Sequence, residues 1–125
     1  MKLIMKAIYI ICFFPLVSHG ASLTCDGIPK DIFIQMTQGD LLTISIENSS
    51  GEQEGPWNIC RMDAEVSGIS VDRCKAIHAN SLSAMMAGKK ISIIFNDNSN
   101  YTSCGSILPW STETVSNIKS IRIMR

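Results

Sequence analysis

Ser70-Val71-Asp72-Arg73-Cys74, an alanine- and serine-rich run to Ala87, and then Gly88-Lys89-Lys90-Ile91-Ser92-Ile93-Ile94-Phe95 form the stretch on which the fold turns. Ser70 is placed to cap a helix, and Asp72 in the first turn complements the positive end of the helix dipole. At about 100° per residue, Cys74, Ile77, His78, Ser81, Leu82 and Met85 gather on one side, with Arg73, Asn80 and Ser83 well away from it. Ala76, Ala79, Ala84 and Ala87 keep the remaining surface small, so the helix can lie close against a sheet or against copies of itself. Gly88 is a natural C′ stop, and Lys89 and Lys90 complete the helix end. The apolar run from Ile91 that follows reads as a strand buried on much of both faces.

Upstream, Leu42, Ile44 and Ile46 alternate with Thr43, Ser45 and Glu47, which predicts an antiparallel strand with one wet face. Ile32-Phe33-Ile34-Gln35-Met36 predicts an earlier strand, separated from it by the turn cluster Thr37-Gln38-Gly39-Asp40. Residues 48–56 read as a polar surface loop, and Trp57-Asn58-Ile59-Cys60-Arg61-Met62 as a third strand. Downstream come a polar turn over residues 96–101, a loop from Cys104 to Trp110, and a last strand containing Ile118, Ile121 and Ile123. Three strands, one helix and two strands is the order of an OB-fold, a Greek-key barrel whose helix lies between strands three and four. The expected class is therefore α+β: a small antiparallel β-barrel or sheet, OB-like, of five to six strands, with one helix.

The first twenty residues have a different character. Lys2 and Lys6 precede an apolar run over residues 7–17, and Ser18-His19-Gly20 supplies small residues where a signal peptidase reads. Residues 1–20 are thus expected to be a signal peptide cleaved after Gly20, leaving one domain, 21–125, in the periplasm or secreted. The apolar run is shorter than the roughly 20 residues a spanning helix needs. A lipid anchor on Cys12 or Cys25 is the competing reading, but neither cysteine has a leucine three places before it with a small residue immediately before it.

The exported portion would carry nine basic and eleven acidic side chains, a formal net charge of −2, with no clustered basic face for nucleic acid. It keeps Cys25, Cys60, Cys74 and Cys104, an even count that reads as two disulfides in a small exported domain. No C-x-x-C pair is present for zinc. Of the three possible pairings, Cys60–Cys74 closes a short loop and leaves Cys25–Cys104. An OB-like topology favours the second bridge, since its first and fourth strands are neighbours.

No catalytic constellation stands out, and no enzyme, cofactor or metal is expected. His78, the single histidine after residue 20, falls near the buried helix face and has no obvious nucleophile partner. Glu52 with Glu54, and Asp63 with Glu65, are the carboxylate pairs a glycosidase would need, but they lie in polar loops where solvated surface is the ordinary reading. Binding fares better. Trp57, Tyr101 and Trp110 offer aromatic faces for a sugar, and Asn96, Asp97, Asn98 and Asn100 offer groups for its hydroxyls, mostly in loops at strand ends. Trp57, Asn98, Tyr101 and Trp110 are the candidate ligand-binding residues. Set against this, the tryptophans can simply fill the core, as a small domain needs its largest side chains for burial, and residues 96–100 can simply form a turn. Asn48-Ser49-Ser50 and Asn100-Tyr101-Thr102 match the glycosylation sequon, which is short enough to arise by chance.

The layout Trp57-x-x-Cys60, then Cys74 opening an alanine-rich helix, then Gly88-Lys89-Lys90 entering an apolar strand, resembles small exported bacterial four-cysteine proteins. It is also similar to the OB-fold B subunits of pertussis-like and subtilase-type A–B toxins. The match covers about a third of the chain, from Trp57 to Phe95. It implies a homo-oligomeric ring that binds glycans, with helices lining its pore. The cysteine framework departs from that of those subunits and their sugar-binding serine has no match here, so no ligand residue is carried over. The expectation is a non-catalytic exported binding protein for a carbohydrate, a toxin B-subunit-like module. An exported inhibitor or envelope protein with a protein partner is the alternative.

Overall fold

The computed structural model describes residues 22–36, 39–96, 101–110 and 117–124. Five strands and one long helix follow one another as β1 (Thr24–Gln35), β2 (Leu41–Glu47), β3 (Gln53–Arg61), α1 (Val71–Ala87), β4 (Ile91–Phe95) and β5 (Ile118–Ile123), with a 3₁₀ turn at Cys104–Ser106 between the last two strands. The strands pair antiparallel throughout, in the order β3-β2-β1-β4-β5. The fold is α+β. The sheet is open: among the described residues no ladder joins β3 to β5. The Pro56 carbonyl on β3 accepts instead from the Trp110 N–H at 2.9 Å, so the loop before β5 lies where a closing strand would pair.

β1 is the longest strand and serves two partners. Thr24 to Gly27 pair with β4, opposite Ile94 to Ile91. Ile28 to Gln35 pair with β2, opposite Glu47 to Leu41, with a register irregularity between Pro29 and Asp31. The sequence reading starts this strand only at Ile32, whereas the strand runs from Thr24 and contains Gly27 and Pro29, residues disfavoured in strands. Both are accommodated. A Cβ on Gly27 would fall 2.5 Å from the Glu47 carbonyl oxygen, so the glycine allows the close approach where the strand changes partner. Pro29, which has no N–H to donate, stands beside the irregularity.

β3 also begins earlier than expected, at Gln53 rather than Trp57. The loop before it is short because Asn48 organises it: its Oδ1 accepts from the Ser50 and Glu52 N–H groups, both at 3.0 Å. α1 follows its sequence signals closely. The Ser70 hydroxyl accepts from the Arg73 N–H at 3.1 Å, and Gly88 takes the left-handed conformation (φ 63°) that lets its N–H reach back to the last turn. Cys74, Ser81 and Ala84 are buried, and the helix packs on β1, β3 and β5.

The core is made of Leu42, Ile44 and Ile46 from β2, Trp57, Ile59 and Cys60 from β3, and Ile91, Ile93 and Phe95 from β4. Ile69, Cys74, Ala84, Ile107 and Ile118 close it. Trp57 meets Phe95 edge-on, centroids 5.8 Å apart, and Phe95 meets Tyr101 in the same manner at 5.4 Å. Disulfides join Cys25 to Cys104 and Cys60 to Cys74, with Cα separations of 5.7 and 5.8 Å. The first ties β1 to the 3₁₀ turn, and the second ties β3 to α1. One expectation is corrected: β2 has no wet face. Thr43 and Ser45 are fully buried beside the apolar residues with which they alternate.

Candidate functional site

The reason β2 is dry on both sides is a polar network on the outer face of β1, β2 and β3. Registers Phe33↔Thr43 and Thr43↔Asn58 place these three side chains in one row across the strands. The Thr43 hydroxyl donates to Asn58 Oδ1 at 3.0 Å, and Asn58 Nδ2 donates to the Trp110 carbonyl at 3.3 Å. Two residues along, Ser45 faces Asp31. The Ser45 hydroxyl donates to Asp31 Oδ2 at 2.9 Å, and Gln53 Nε2 donates to both Asp31 Oδ2 at 2.8 Å and Ser45 Oγ at 3.0 Å. Burying hydroxyls and amides costs free energy unless they are paired, and the pairing of Thr43 with Asn58 and of Ser45 with Asp31 meets that cost.

Over this face lies Trp110. Its backbone has φ 63°, held by the hydrogen bond to Pro56, and its ring stands 5.3 Å from that of Phe33, tilted by 48°. Trp110 is 51% exposed and Leu108 in the same loop is 72% exposed. The result is an aromatic pair beside a patch of fixed hydrogen-bonding groups, of which Asp31 and Gln53 are exposed.

The sequence candidates therefore separate. Trp110 stands at this face. Trp57 is wholly buried between β2 and Phe95, a core anchor with no surface for a ligand, and its Nε1 has no hydrogen-bond partner among the described residues. Tyr101 is half-buried against Phe95, and its hydroxyl accepts from Asn117 Nδ2 at 3.5 Å. Asn98, together with Asp97 and Asn100, lies outside the described residues. Phe33, Asp31, Gln53 and Asn58 were not singled out from sequence. The one available signal was an aromatic, Phe33, standing at a strand position whose neighbours in the alternation are polar.

Asp63 is engaged by Arg61, whose Nε and Nη2 donate to its two oxygens at 3.0 and 2.8 Å. That hydrogen bonding holds the Asp63 carboxyl below the usual carboxylate range and the Arg61 guanidinium above its own ordinary value, the reverse of what a general acid requires. Glu54 approaches the sulfurs of Cys25 and Cys104, but these are bonded to each other and offer no thiolate to a metal. His78 is half-buried on α1.

A second concavity lies elsewhere. Between α1 and β5 is a cleft of about 420 Å³ floored by Ile69, Ile77, Ile118 and Ile121, with Arg73 on the helix side and Lys119 on the strand side. Among the described residues, no helix is long and apolar enough to cross a membrane. The chain matches no protein-family model, no curated protein and no solved structure.

Proposed function

We propose that this is an exported, non-catalytic binding protein whose ligand is a carbohydrate, held on the outer face of β1–β3. The observation that carries the reading is the half-exposed Trp110 ring set against Phe33 beside the Asp31–Ser45–Gln53 network. A sugar ring presents an apolar face for stacking and hydroxyls for carboxylate and amide groups, and both kinds of partner are supplied side by side here. The two disulfides support an oxidising compartment.

An OB-like barrel is part of this proposal. The strand order β3-β2-β1-β4-β5 is that of a five-stranded Greek-key barrel opened between its third and fifth strands, and α1 lies between β3 and β4 in sequence. In such barrels the second and third strands, with the loops following strands one and four, form the ligand face, which is the face described above. Assembly into a ring, as in toxin B subunits, goes with the same reading, and native mass spectrometry of the oxidised protein tests it: a pentamer supports the ring and a monomer refutes it.

Glycan-array screening followed by titration of the hits tests the ligand class. Replacing Trp110 by Ala should weaken the best hit by about tenfold or more, the usual penalty for removing an aromatic anchor. An array without hits refutes the carbohydrate reading. The second reading, an exported inhibitor or envelope protein with a protein partner, draws on the exposure of Leu108 and Trp110 together, an apolar tip suited to a protein groove.

A further inference from the structure

The cleft between α1 and β5 lies apart from the outer face of β1–β3, and none of its lining residues belongs to the network there. Four isoleucines line it together with Ala76, Asn80 and Ser120, and no aromatic ring does, so it lacks the stacking surface a sugar uses. Its volume is that of a small-molecule site rather than a groove for a long peptide. Two cations flank it, Arg73 and Lys119, and neither forms an ion pair among the described residues. No described carboxylate lines it. Beside it runs β5, an edge strand of the sheet, with one side of its backbone outside any described ladder.

We infer that this cleft is a binding site for a single-tailed anionic amphiphile, an alkyl carboxylate being the simplest case. The aliphatic tail lies on Ile69, Ile77, Ile118 and Ile121, and the anionic head is held between the Arg73 guanidinium and the Lys119 ammonium. Apolar lining with a few polar groups that fix orientation is the ordinary construction of such sites, and the two cations select the sign of the head group. A symmetric second copy of the chain is a poor occupant, because a two-fold contact here would bring the cations of one cleft against those of the other.

The test is an isoleucine-methyl NMR titration of the oxidised, exported protein with three probes: decanoate, decanol and acetate. Decanoate should bind saturably and shift the methyl signals of Ile69, Ile77, Ile118 and Ile121. Decanol should bind about tenfold more weakly, and acetate should not saturate. Arg73→Glu and Lys119→Glu change exposed side chains, so the fold is retained. Each should lower decanoate affinity toward that of decanol while leaving decanol binding unchanged. Decanoate binding no tighter than decanol, insensitivity to both charge reversals, or shifts centred on residues around Trp110 would each overturn the assignment. So would the same four methyls moving on raising protein concentration alone, since a second copy would then be the occupant.

Discussion

Replacing Trp57 is the sharpest probe of how this small domain is held together. The side chain is fully buried opposite Ile44 and edge-on to Phe95, so Trp57→Ala removes the largest buried side chain in the core. Loss of a buried tryptophan costs about 3–5 kcal/mol, and the lost edge-to-face contact falls within that range. Trp57→Phe is the informative partner. It retains a ring against Phe95 but deletes an indole N–H that has no partner among the described residues. An unsatisfied buried donor costs about 1–3 kcal/mol, and removing it offsets the ring area lost, roughly 1 kcal/mol by area, so the net change should lie within about 1 kcal/mol of zero. Urea unfolding followed by far-ultraviolet circular dichroism, with both disulfides intact, reads the difference. With a slope of about 1.5 kcal/mol/M, Trp57→Ala should lower the midpoint by about 2–3 M and Trp57→Phe by less than about 1 M. A Trp57→Ala protein as stable as the parent would refute the core role of this residue. Equal, large losses for both variants would show that the indole N–H is bonded in solution.

Removing the Cys25–Cys104 bridge by a double alanine substitution should cost about 4–5 kcal/mol, because the sequence separation is 79 and the cost grows with the loop released; a loss under about 2 kcal/mol in urea unfolding counts against the chain-entropy account. Asn58→Ala should cost about 1–3 kcal/mol by leaving the Thr43 hydroxyl only its longer contact to the Leu41 carbonyl at 3.4 Å, and adding Thr43→Val should recover part of it, which a double-mutant cycle measures as non-additivity. The depressed Asp63 carboxyl makes a stabilising contribution that is present above its unfolded value of 3.8 and is lost as pH falls through its lower folded value. Asp63→Asn should flatten that acid limb in a pH series of thermal melts, and an unchanged limb would remove the Arg61 pair from the account.

Local patterns located α1 and the three shortest strands, because there the relevant physics is local. Ser70 and Gly88 bracket the helix by capping, and alternation or a continuous apolar run marks β2, β4 and β5. The starts of β1 and β3 were not legible. Gly27, Pro29, Gly55 and Pro56 are turn formers by propensity, and only the pairing with β2 and β4 turns them into strand residues. The outer-face site was half legible. Trp110 announces itself as an aromatic in a loop, but its neighbour Phe33 lies 77 positions away in the chain, and no periodicity connects them. The buried state of Thr43 and Ser45 was hidden for the same reason: alternation shows that one side of a strand is polar, and only tertiary partners decide whether that side meets water.

The connectivity of the cysteines has a consequence for biogenesis. Cys25 pairs with the last cysteine in the chain and Cys60 with the next one along. Among these four cysteines, oxidation in order of emergence would join Cys25 to Cys60 first, a bond the finished molecule does not contain. If that crosslink forms, thiol–disulfide exchange has to undo it, and the expected outcome is that the yield of oxidised protein follows the supply of an isomerase rather than of an oxidant alone.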